Sequence, residues 1–466
     1  MKIQLAGPSY QQRSLPFDAQ RSVNLFPVPD DYGSDKVSLY SAPGLKLFGT
    51  VGTGPIRGEF TAANGRAFAV SGAKLYELNG DGTGTDRGTF DFNTGIVSIE
   101  ENGFQLAICD GQSIYILTYA TNAFAKVTDP DLPKISTITF LDGYFIGNKS
   151  NSGQFYISAL YDGLSWNALD FATAESSPDD LLRVYNALGQ LWLLGKYTSE
   201  VYTNTGASSF PFERISGAKM EVGIMSPHTA VSIDNSLVWV GQDRNGVGIV
   251  YRANGFTPKR ISTTPIEIKL QAVTDYTQLR AYTYQEDGHF FYVITGGSLE
   301  TSLVFDLTTQ LWHERAYLNE MGLFEQHLGC CYTFAFNKHL VGSRVDGKLY
   351  EQSLDFYSDD GMPLCRERTY THQLDELKRI RYNTLVIGCE TGVGLQSGQG
   401  VDPVIMLQLS RDGARTWSNW FTASLGKVGQ YLTKVSFRRL GIAQQMTFKI
   451  RITDPVKVTI TGSWLE

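Results

Sequence analysis

The sequence predicts an all-β protein: a β-propeller of six or seven blades with an extended N-terminal arm and a C-terminal β-sandwich-like domain. Two observations support the propeller. An apolar residue followed by an aromatic one recurs along most of the chain, and each copy stands between turn-forming residues. The seven copies are spaced 39, 41, 46, 49, 54 and 45 residues apart, a range typical of propeller blades. In addition, no apolar stripe of helical period and useful length competes with the strands.

Each copy of the repeat is interpreted as one blade. A turn such as Asn64-Gly65 or Asp142-Gly143 comes first, and its residues accept positive φ and so close tight hairpins. Seven pairs indicate seven blades, or six if one pair belongs to a flanking domain. A different large all-β stack with hairpins of similar length is the alternative. The pairs are Leu75-Tyr76, Ile114-Tyr115, Phe155-Tyr156, Val201-Tyr202, Val250-Tyr251, Val304-Phe305 and Leu349-Tyr350.

The two ends of the chain differ from the repeat. Residues 1–50 contain five prolines and little periodicity, which predicts an extended arm. Residues 51–360 form the predicted propeller, and strand patterns of another kind recur in residues 361–466. The Gly-rich stretch 392–400 is predicted to be a flexible hairpin tip. A phosphate cradle is not expected there, because Pro403 and a strand pattern follow it instead of a helix.

Charge is distributed unevenly along the chain. Residues 365–466 hold 14 basic and 8 acidic residues, a balance of +6, whereas residues 1–364 hold 26 and 39, a balance of −13. Charged residues make up only 19% of the chain, below the ~25% usual for soluble domains, so much of the surface is either neutral and polar or covered by partners, and the second option indicates an assembly. An acidic body is a poor DNA clamp, because tight nonspecific binding needs many Lys and Arg contacts to phosphate.

The basic residues of the C-terminal domain are the candidate docking residues. They would meet an acidic protein surface or nucleic acid, and the alternative is a solvated strand face of alternating charge. They are Arg366, Arg368, Lys378, Arg379, Arg381, Arg438 and Arg439.

The five cysteines show no disulfide-framework spacing, so we expect reduced thiols made in a cytoplasm. Cys330 and Cys331 are adjacent on a predicted strand, and strand alternation predicts that they point to opposite faces. The first residues have no apolar core of signal-peptide length, and no run of ~18 apolar residues occurs. We therefore expect no export signal and no membrane insertion by this chain.

No catalytic or metal-binding spacing is present, and the six histidines are scattered. The sequence thus predicts no catalytic residues, no metal and no cofactor. One motif favours an enzyme: Ser410-Arg411-Asp412-Gly413-Ala414-Arg415-Thr416-Trp417 is similar to the Asp-box of sialidases, in which the Asp caps the turn. Sialidases repeat this box across blades, whereas here it occurs once and outside the repeat. A sialidase-like glycosidase, or a glycan-binding module, is one possible function, and a kelch-like interaction propeller is another.

Several stretches in order resemble the packaged-DNA stabilisation proteins, the tail hub or nozzle family of short-tailed bacteriophages. Two of these stretches lie near the start of the chain: residues 20–27, which begin with Gln20-Arg21-Ser22-Val23-Asn24, and residues 42–45, Ala42-Pro43-Gly44-Leu45. In the middle it is residues 166–179, from Trp166 to Asp179. Near the end they are residues 410–417, Phe437-Arg438-Arg439-Leu440-Gly441 and residues 451–457.

The resemblance implies a non-enzymatic structural protein of the virion tail, made in the host bacterial cytoplasm. It implies a homo-oligomeric ring, six copies in known relatives, below the portal and adaptor, in which the chain ends form a platform and the propellers radiate outward. Such a ring seals packaged DNA in the capsid and conducts it during ejection without sequence-specific binding. The implied partners are the portal-adaptor protein and a tail fibre, tailspike or tail needle.

Overall fold

The computed structural model describes residues 2–3, 6–16, 18–29, 37–174, 177–374 and 378–466. Strands dominate, with one short helix, Thr264–Gln271, and one 3-10 turn, Tyr276–Gln278, in these ranges. Neither the helix nor any other described segment offers a helical span long and apolar enough to cross a membrane. Glu175 and Ser176, part of one stretch of the family resemblance, lie outside the described residues.

Seven antiparallel sheets form the blades of a closed propeller, and six of them are made from consecutive strands. Blade 1 consists of Ile56–Thr61, Ala67–Ser71, Lys74–Leu78 and Gly84–Thr89, and blade 2 of Ser98–Glu101, Gln105–Cys109, Ile114–Thr118 and Ala123–Lys126. Blade 3 consists of Ile135–Leu141, Tyr144–Lys149, Gln154–Ala159 and Asp162–Thr173, and blade 4 of Leu181–Ala187, Gln190–Gly195, Ser199–Asn204 and Phe212–Met220. Blade 5 consists of a split inner strand, Gly223–Ile224 and Val231–Ile233, with Ser236–Gln242, Val247–Asn254 and Thr257–Arg260. Blade 6 consists of Arg280–Glu286, His289–Thr295, Ser302–Asp306 and Leu311–Leu318, extended by Phe324–Gln326.

Blade 7 is built from two distant parts of the chain. Its first three strands are Gly329–Ala335, Lys338–Ser343 and Lys348–Ser353, and its fourth is Gly44–Thr50, called here the closing strand. Ser358–Asp359 extends this sheet beyond the closing strand and pairs with Met362–Pro363. The closing strand precedes blade 1 in sequence but pairs with the third strand of blade 7, so it joins the two ends of the ring. The extended arm is predicted to end at residue 50, but residues 44–50 lie in the propeller.

The apolar-aromatic pairs all lie in the third strand of their blades. The apolar member of every pair is fully buried, at 0% exposure. Separate apolar clusters fill the seven interfaces between neighbouring blades, and the one that contains Ile56, Leu340 and Leu349 joins blade 7 to blade 1. The predicted hairpin chemistry is also present, since Asp142 and Asp287 have φ of 49° and 48° before glycines of positive φ. The propeller prediction is therefore confirmed, with seven blades.

The C-terminal domain is a β-sandwich with a single apolar core between its two sheets. Sheet I contains Tyr10–Gln11, Ala19–Val23, Arg366–Thr369, Gln373–Leu374, Val404–Ser410, Phe421–Ser424 and Gln445–Ile452. Sheet II contains Lys2–Ile3, Leu25–Pro29, Val37–Ser41, Ile380–Cys389, Val435–Ala443 and Thr459–Leu465. The predicted C-terminal sandwich is confirmed.

The described N-terminal residues add strands to both sandwich sheets. Ala19–Val23 pairs with Arg366–Thr369, and Val37–Ser41 pairs with Thr459–Leu465. Pro27 and Pro29 lie on Leu25–Pro29 at the edge of sheet II, where a residue without an N–H is tolerated. Two of the five prolines that predicted an extended conformation thus lie on an edge strand of the sandwich.

Glu314 of blade 6 joins the sandwich to the propeller. It is 0% exposed and lies beside Val23, through which sheet I continues into blade 6. Its Oε1 accepts from Ser9 Oγ at 2.6 Å and pairs with Lys269 Nζ at 2.8 Å. Its Oε2 accepts from Arg21 Nε and Nη2, at 3.1 and 2.9 Å, and from Thr301 Oγ1 at 2.7 Å. Burial alone would raise the pKa of Glu314, but Arg21 and Lys269 together hold that pKa well below its usual value.

Candidate docking surface

Two of the seven predicted docking residues lie inside the protein. Arg366 and Arg368 are 1% and 0% exposed, on the central strand Arg366–Thr369 of sheet I. Arg366 donates to the carbonyl oxygens of Val456, at 2.7 Å, and Asp454. Arg368 donates to Pro8 O at 2.9 Å and to Gln20 Oε1 at 2.7 Å. Burial lowers the pKa of both to about 10, so both stay charged at neutral pH. Their predicted docking role is wrong, because neither side chain reaches the surface.

The other five predicted residues are exposed, either on sheet II or in the two residues that precede its strand Ile380–Cys389. We call them the basic face: Lys378, Arg379, Arg381, Arg438 and Arg439. Ile380–Cys389 and Val435–Ala443 are neighbours, with Arg381 opposite Ile442 and Arg438 opposite Thr384. The alternate residues Tyr382, Phe437 and Leu440 enter the sandwich core. The arginines therefore point away from that core, as strand alternation requires.

Arg439 occupies a distortion in its strand. Its φ is 60°, that of Gly441 is 98°, and the pairing register shifts opposite, between Tyr382 and Thr384. A bulge bends an edge strand and so discourages uncontrolled pairing with other strands. Val435–Ala443 is the last strand of sheet II, so its outer edge has no β-strand partner in the described chain.

An exposed apolar loop, residues 428–432, adjoins the basic face and was not identified from the sequence. Val428, Tyr431 and Leu432 are 54%, 68% and 99% exposed, and the loop leads directly into Val435–Ala443. Thr391 Oγ1 donates to Tyr431 O at 2.8 Å, and Gly429 N donates to Gly392 O at 3.0 Å. These bonds hold the loop in place, so its apolar side chains stand outward beside the positive charges. The sequence of residues 428–432 does not show whether its apolar side chains are buried or exposed, because a short apolar segment between two strands occurs in both settings.

The Gly-rich stretch 392–400 is not a hairpin tip. The strands on either side of it, Ile380–Cys389 and Val404–Ser410, lie in different sheets, so the stretch crosses from sheet II to sheet I. A Cβ on Gly392 would lie 2.8 Å from the backbone of Gln430 and Tyr431, and Gly392 has a φ of 78°. Glycine is required because the crossing passes this close to the apolar loop.

The Asp-box is a capped turn in the sandwich, away from the propeller. Asp412 Oδ1 accepts from the amides of Arg415 and Thr416 at 3.1 and 2.9 Å, and Oδ2 accepts from Thr416 Oγ1 at 2.6 Å. These bonds, led by that of Thr416, lower the pKa of Asp412. Trp417 lies beneath Lys449, whose Nζ is 4.0 Å from the ring centroid. The box thus serves as a folding element here.

We expect the change Asp412→Ala to loosen this turn alone. Hydrogen exchange at the amides of Arg415 and Thr416 should accelerate by at least about tenfold, because both lose their acceptor. Exchange within Val404–Ser410 should be unchanged. Asp402→Ala is the matched control, because Asp402 accepts from Ser424 Oγ at 3.0 Å and lies 3.9 Å from Lys427 Nζ, but caps no amide among the described residues. Equal exchange rates in wild type and Asp412→Ala would show that the carboxylate does not hold the turn.

The thiol groups of Cys330 and Cys331 lie on the same side, which contradicts the expected opposite faces. Their Sγ atoms are 4.0 Å apart. The reason is an irregularity between Gly329 and Cys331, where the register with Lys338–Ser343 shifts and strand alternation breaks. All five cysteines are free thiols, and burial raises the pKa of Cys109, Cys365 and Cys389 to about 12.

Two of the histidines contact a side chain of their own blade. His289 Nδ1 lies 2.7 Å from Asp306 Oδ2, and His339 Nδ1 lies 2.9 Å from Tyr332 Oη. Burial lowers the pKa of His313 to about 3, so His313 is neutral at physiological pH. Within the described residues no three His, Cys, Asp or Glu side chains are grouped so that they could hold a metal.

Two family models match the chain, one for each domain and in the same order. The model for bacteriophage P22 Gp10, beta-propeller, matches residues 1–357, and that for bacteriophage P22 Gp10, beta-sandwich, matches residues 367–466. The chain belongs to the bacteriophage P22 Gp10 family. This is the tail hub family that the sequence resembles, so the resemblance is confirmed. Members of the P22 Gp10 family are structural tail proteins, and membership implies a place in the virion among other tail proteins.

Solved structures show only distant similarity to this P22 Gp10 family member. The N-terminal domain of Nup159 is 11% identical with a TM-score of 0.42, and the match covers 70% of this chain and 97% of that one. The extracellular domain of BT4673 from B. thetaiotaomicron is 11% identical with a TM-score of 0.45, covering 87% and 56%. YCF48 bound to D1 peptide is 13% identical with a TM-score of 0.39, covering 69% and 96%. No curated protein sequence matches the chain.

Proposed function

We propose that the chain forms a closed ring of about six copies below the portal and adaptor of a phage particle, where it seals packaged DNA and conducts it during ejection. The observation that supports this proposal is the match of both domains to one tail hub family across nearly the whole chain. The role is structural, with no catalytic step. Closed cyclic symmetry is the usual way in which identical chains form such a ring.

In this proposal the sandwich with its N-terminal strands is the platform, and the propellers radiate outward. The basic face and residues 428–432 meet acidic partners, the portal-adaptor protein on one side and a tail fibre, tailspike or needle on the other. A basic surface with exposed apolar side chains combines electrostatic steering with burial of apolar area. DNA passes without sequence-specific contacts. Six copies at a formal charge of −7 each carry −42, and an acidic ring repels phosphate instead of retaining it.

Charge reversal on the basic face tests this proposal. We expect Arg379→Glu, Arg381→Glu and Arg438→Glu, combined in one chain, to weaken assembly on portal–adaptor complexes by at least about tenfold, because three attractive charges become repulsive. Assembly is measured by native mass spectrometry and electron microscopy of the mixed complexes. Arg439 is left unchanged so that the bulge, where its φ is 60°, is not disturbed.

The matched control carries the same change in net charge on the propeller: Lys134→Glu, Arg244→Glu and Lys259→Glu, all at exposed positions. This control should assemble as wild type does, and both triple variants should keep the wild-type melting temperature. Normal assembly of the first triple variant would exclude the basic face as the docking surface. A wild-type chain that forms no ring with portal and adaptor would overturn the tail-hub proposal itself.

A further inference from the structure

The inner strands of the propeller surround a central cavity of about 400 Å³. Its wall carries an unusual number of charged side chains: Arg57, Arg183, Arg280, Glu59 and Glu100, with His228 beside them. These residues come from blades 1, 2, 4 and 6 and from the segment before the inner strand Val231–Ile233 of blade 5. The closed ring of blades therefore brings together charges that are far apart in sequence.

Arg183 is the most unusual member of this group. It is only 8% exposed, yet its Nε and Nη1 atoms have no hydrogen-bond acceptor among the described residues. Its Cζ lies 5.4 Å from the ring centroid of Tyr185, which covers one side of the guanidinium. No carboxylate of the described chain forms an ion pair with it, and burial lowers its pKa. A buried guanidinium without acceptors costs several kcal/mol unless another group satisfies it.

Two more arginines add positive charge to the same cavity. Arg57 is 2% exposed and donates to the carbonyl oxygens of Gly95, Gly72 and Phe92, but its Nη2 has no acceptor in the described chain. Arg280 Nη1 lies 3.5 and 3.4 Å from the carbonyl oxygens of Ile56 and Arg57, so the two arginines are adjacent.

The acidic and histidine side chains do not cancel this charge. Burial raises the pKa of Glu100 to about 7 and that of Glu59 well above its usual value, so both carboxyls are partly or fully protonated near neutral pH. Burial, with the charges of Arg183 and Arg280, lowers the pKa of His228 well below its usual value. His228 is therefore neutral, and the cavity carries a net positive charge.

We propose that the central cavity of the propeller binds one small oxyanion, a phosphate or a carboxylate, through Arg183. The guanidinium supplies N–H donors without acceptors, and these groups recognise phosphate and carboxylate oxygens with charge-assisted hydrogen bonds. The cavity admits a small molecule and is far too narrow for duplex DNA. This site is independent of ring assembly and of the proposed tail-hub role.

Calorimetric titration of the full chain tests the proposal, with inorganic phosphate and malonate as separate probes at constant ionic strength in chloride. We expect one binding site per chain for at least one probe, and the better probe distinguishes a phosphate from a carboxylate ligand. Arg183→Met should weaken binding by at least about tenfold, since the charge-assisted bonds are lost. Arg244→Met, at an exposed position on a blade 5 turn, should bind as wild type does.

Stability provides a second readout. Without phosphate or malonate, Arg183→Met should melt no lower than wild type, because the change removes a buried charge that no protein group pairs. Glu100→Gln should bind the anion at least as tightly as wild type, because the ionised fraction of Glu100 places negative charge near Arg183 and the amide places none. Binding by Arg183→Met at wild-type strength, absence of any wild-type binding, or strong destabilisation of Arg183→Met would each overturn the proposal. In the last case Glu100 would be the partner of Arg183, and Glu100→Gln would be destabilised too.

Discussion

Replacing Glu314 by alanine is expected to lower the free energy of unfolding by about 3–5 kcal/mol, the range for breaking a buried ion pair by removing one partner. The carboxylate accepts from Ser9, Arg21 and Thr301 and pairs with Lys269. We expect a loss of stability at the lower end of this range, because the side chains of Arg21 and Lys269 are 21% and 28% exposed. Water can therefore partly solvate their charges once the carboxylate is removed. Urea denaturation followed by tryptophan fluorescence measures the loss.

Glu325, on the strand Phe324–Gln326 that extends the same blade, provides the control. It also pairs with an arginine, Arg344, at 3.1 Å, but their side chains are 46% and 30% exposed. Glu325→Ala should therefore cost less than about 1 kcal/mol, as exposed ion pairs do. An equal loss in the two variants would mean that Glu314 contributes no more than a surface ion pair and does not join the two domains.

The same residue predicts a dependence of stability on pH. The pKa of Glu314 is lower in the folded protein than its ordinary value of 4.5. A lowered folded pKa adds stability above the unfolded pKa, and this stability is lost as the pH falls toward the folded pKa. The difference in unfolding free energy between wild type and Glu314→Gln should thus be largest near neutral pH and shrink below about pH 4.5.

The propeller can be predicted from the sequence because its signals are local. A blade repeats one pattern of turn, strand, turn and apolar-aromatic strand, and adjacent strands pair through hairpins a few residues long. The N-terminal segment gives no such signal, since its partners are distant: Arg21 is opposite Thr369, and Val37–Ser41 pairs with Thr459–Leu465. Proline content predicted an extended conformation correctly but could not reveal which sheet would receive the strand.

The basic residues show the same limit at the level of single side chains. Arg366 and Arg368 form an alternating pair on a strand, and so do Arg379 and Arg381 around the start of another. Arg366–Thr369 and Ile380–Cys389 both have strands on either side, but the first is also covered by N-terminal residues, whereas the second keeps one face open. Burial depends on what packs against a strand. The same sequence pattern therefore leaves Arg366 and Arg368 buried but Arg379 and Arg381 exposed. Arg183 was not identified at all, because only ring closure brings it near Arg280 and His228.

Gly49→Val is expected to lower the free energy of unfolding by at least about 3 kcal/mol, at or above the upper end for overpacking, since the obstacle is backbone. A Cβ on Gly49 would lie 1.9 Å from Gly82 O and 2.7 Å from Gly82 Cα, in the turn between the third and fourth strands of blade 1. Gly49 lies in the closing strand opposite Leu349, which belongs to the apolar cluster between blades 7 and 1. The added side chain therefore separates the last blade from the first.

Lys46→Val places the same residue on the same strand but on its exposed side. Its cost should stay below about 1 kcal/mol, the value of the contact between Lys46 Nζ and the Phe356 ring, 5.8 Å apart. Hydrogen exchange distinguishes a local clash from an opened ring. If the closing strand holds the ring of blades closed, Gly49→Val should speed exchange in Lys348–Ser353 and in blade 1 together while blades 3 and 4 stay protected. A loss of exchange protection confined to the turn around Gly82 would show that closure of the ring does not depend on the contact between Gly49 and Gly82. The apolar cluster between blades 7 and 1 would then hold the ring by itself.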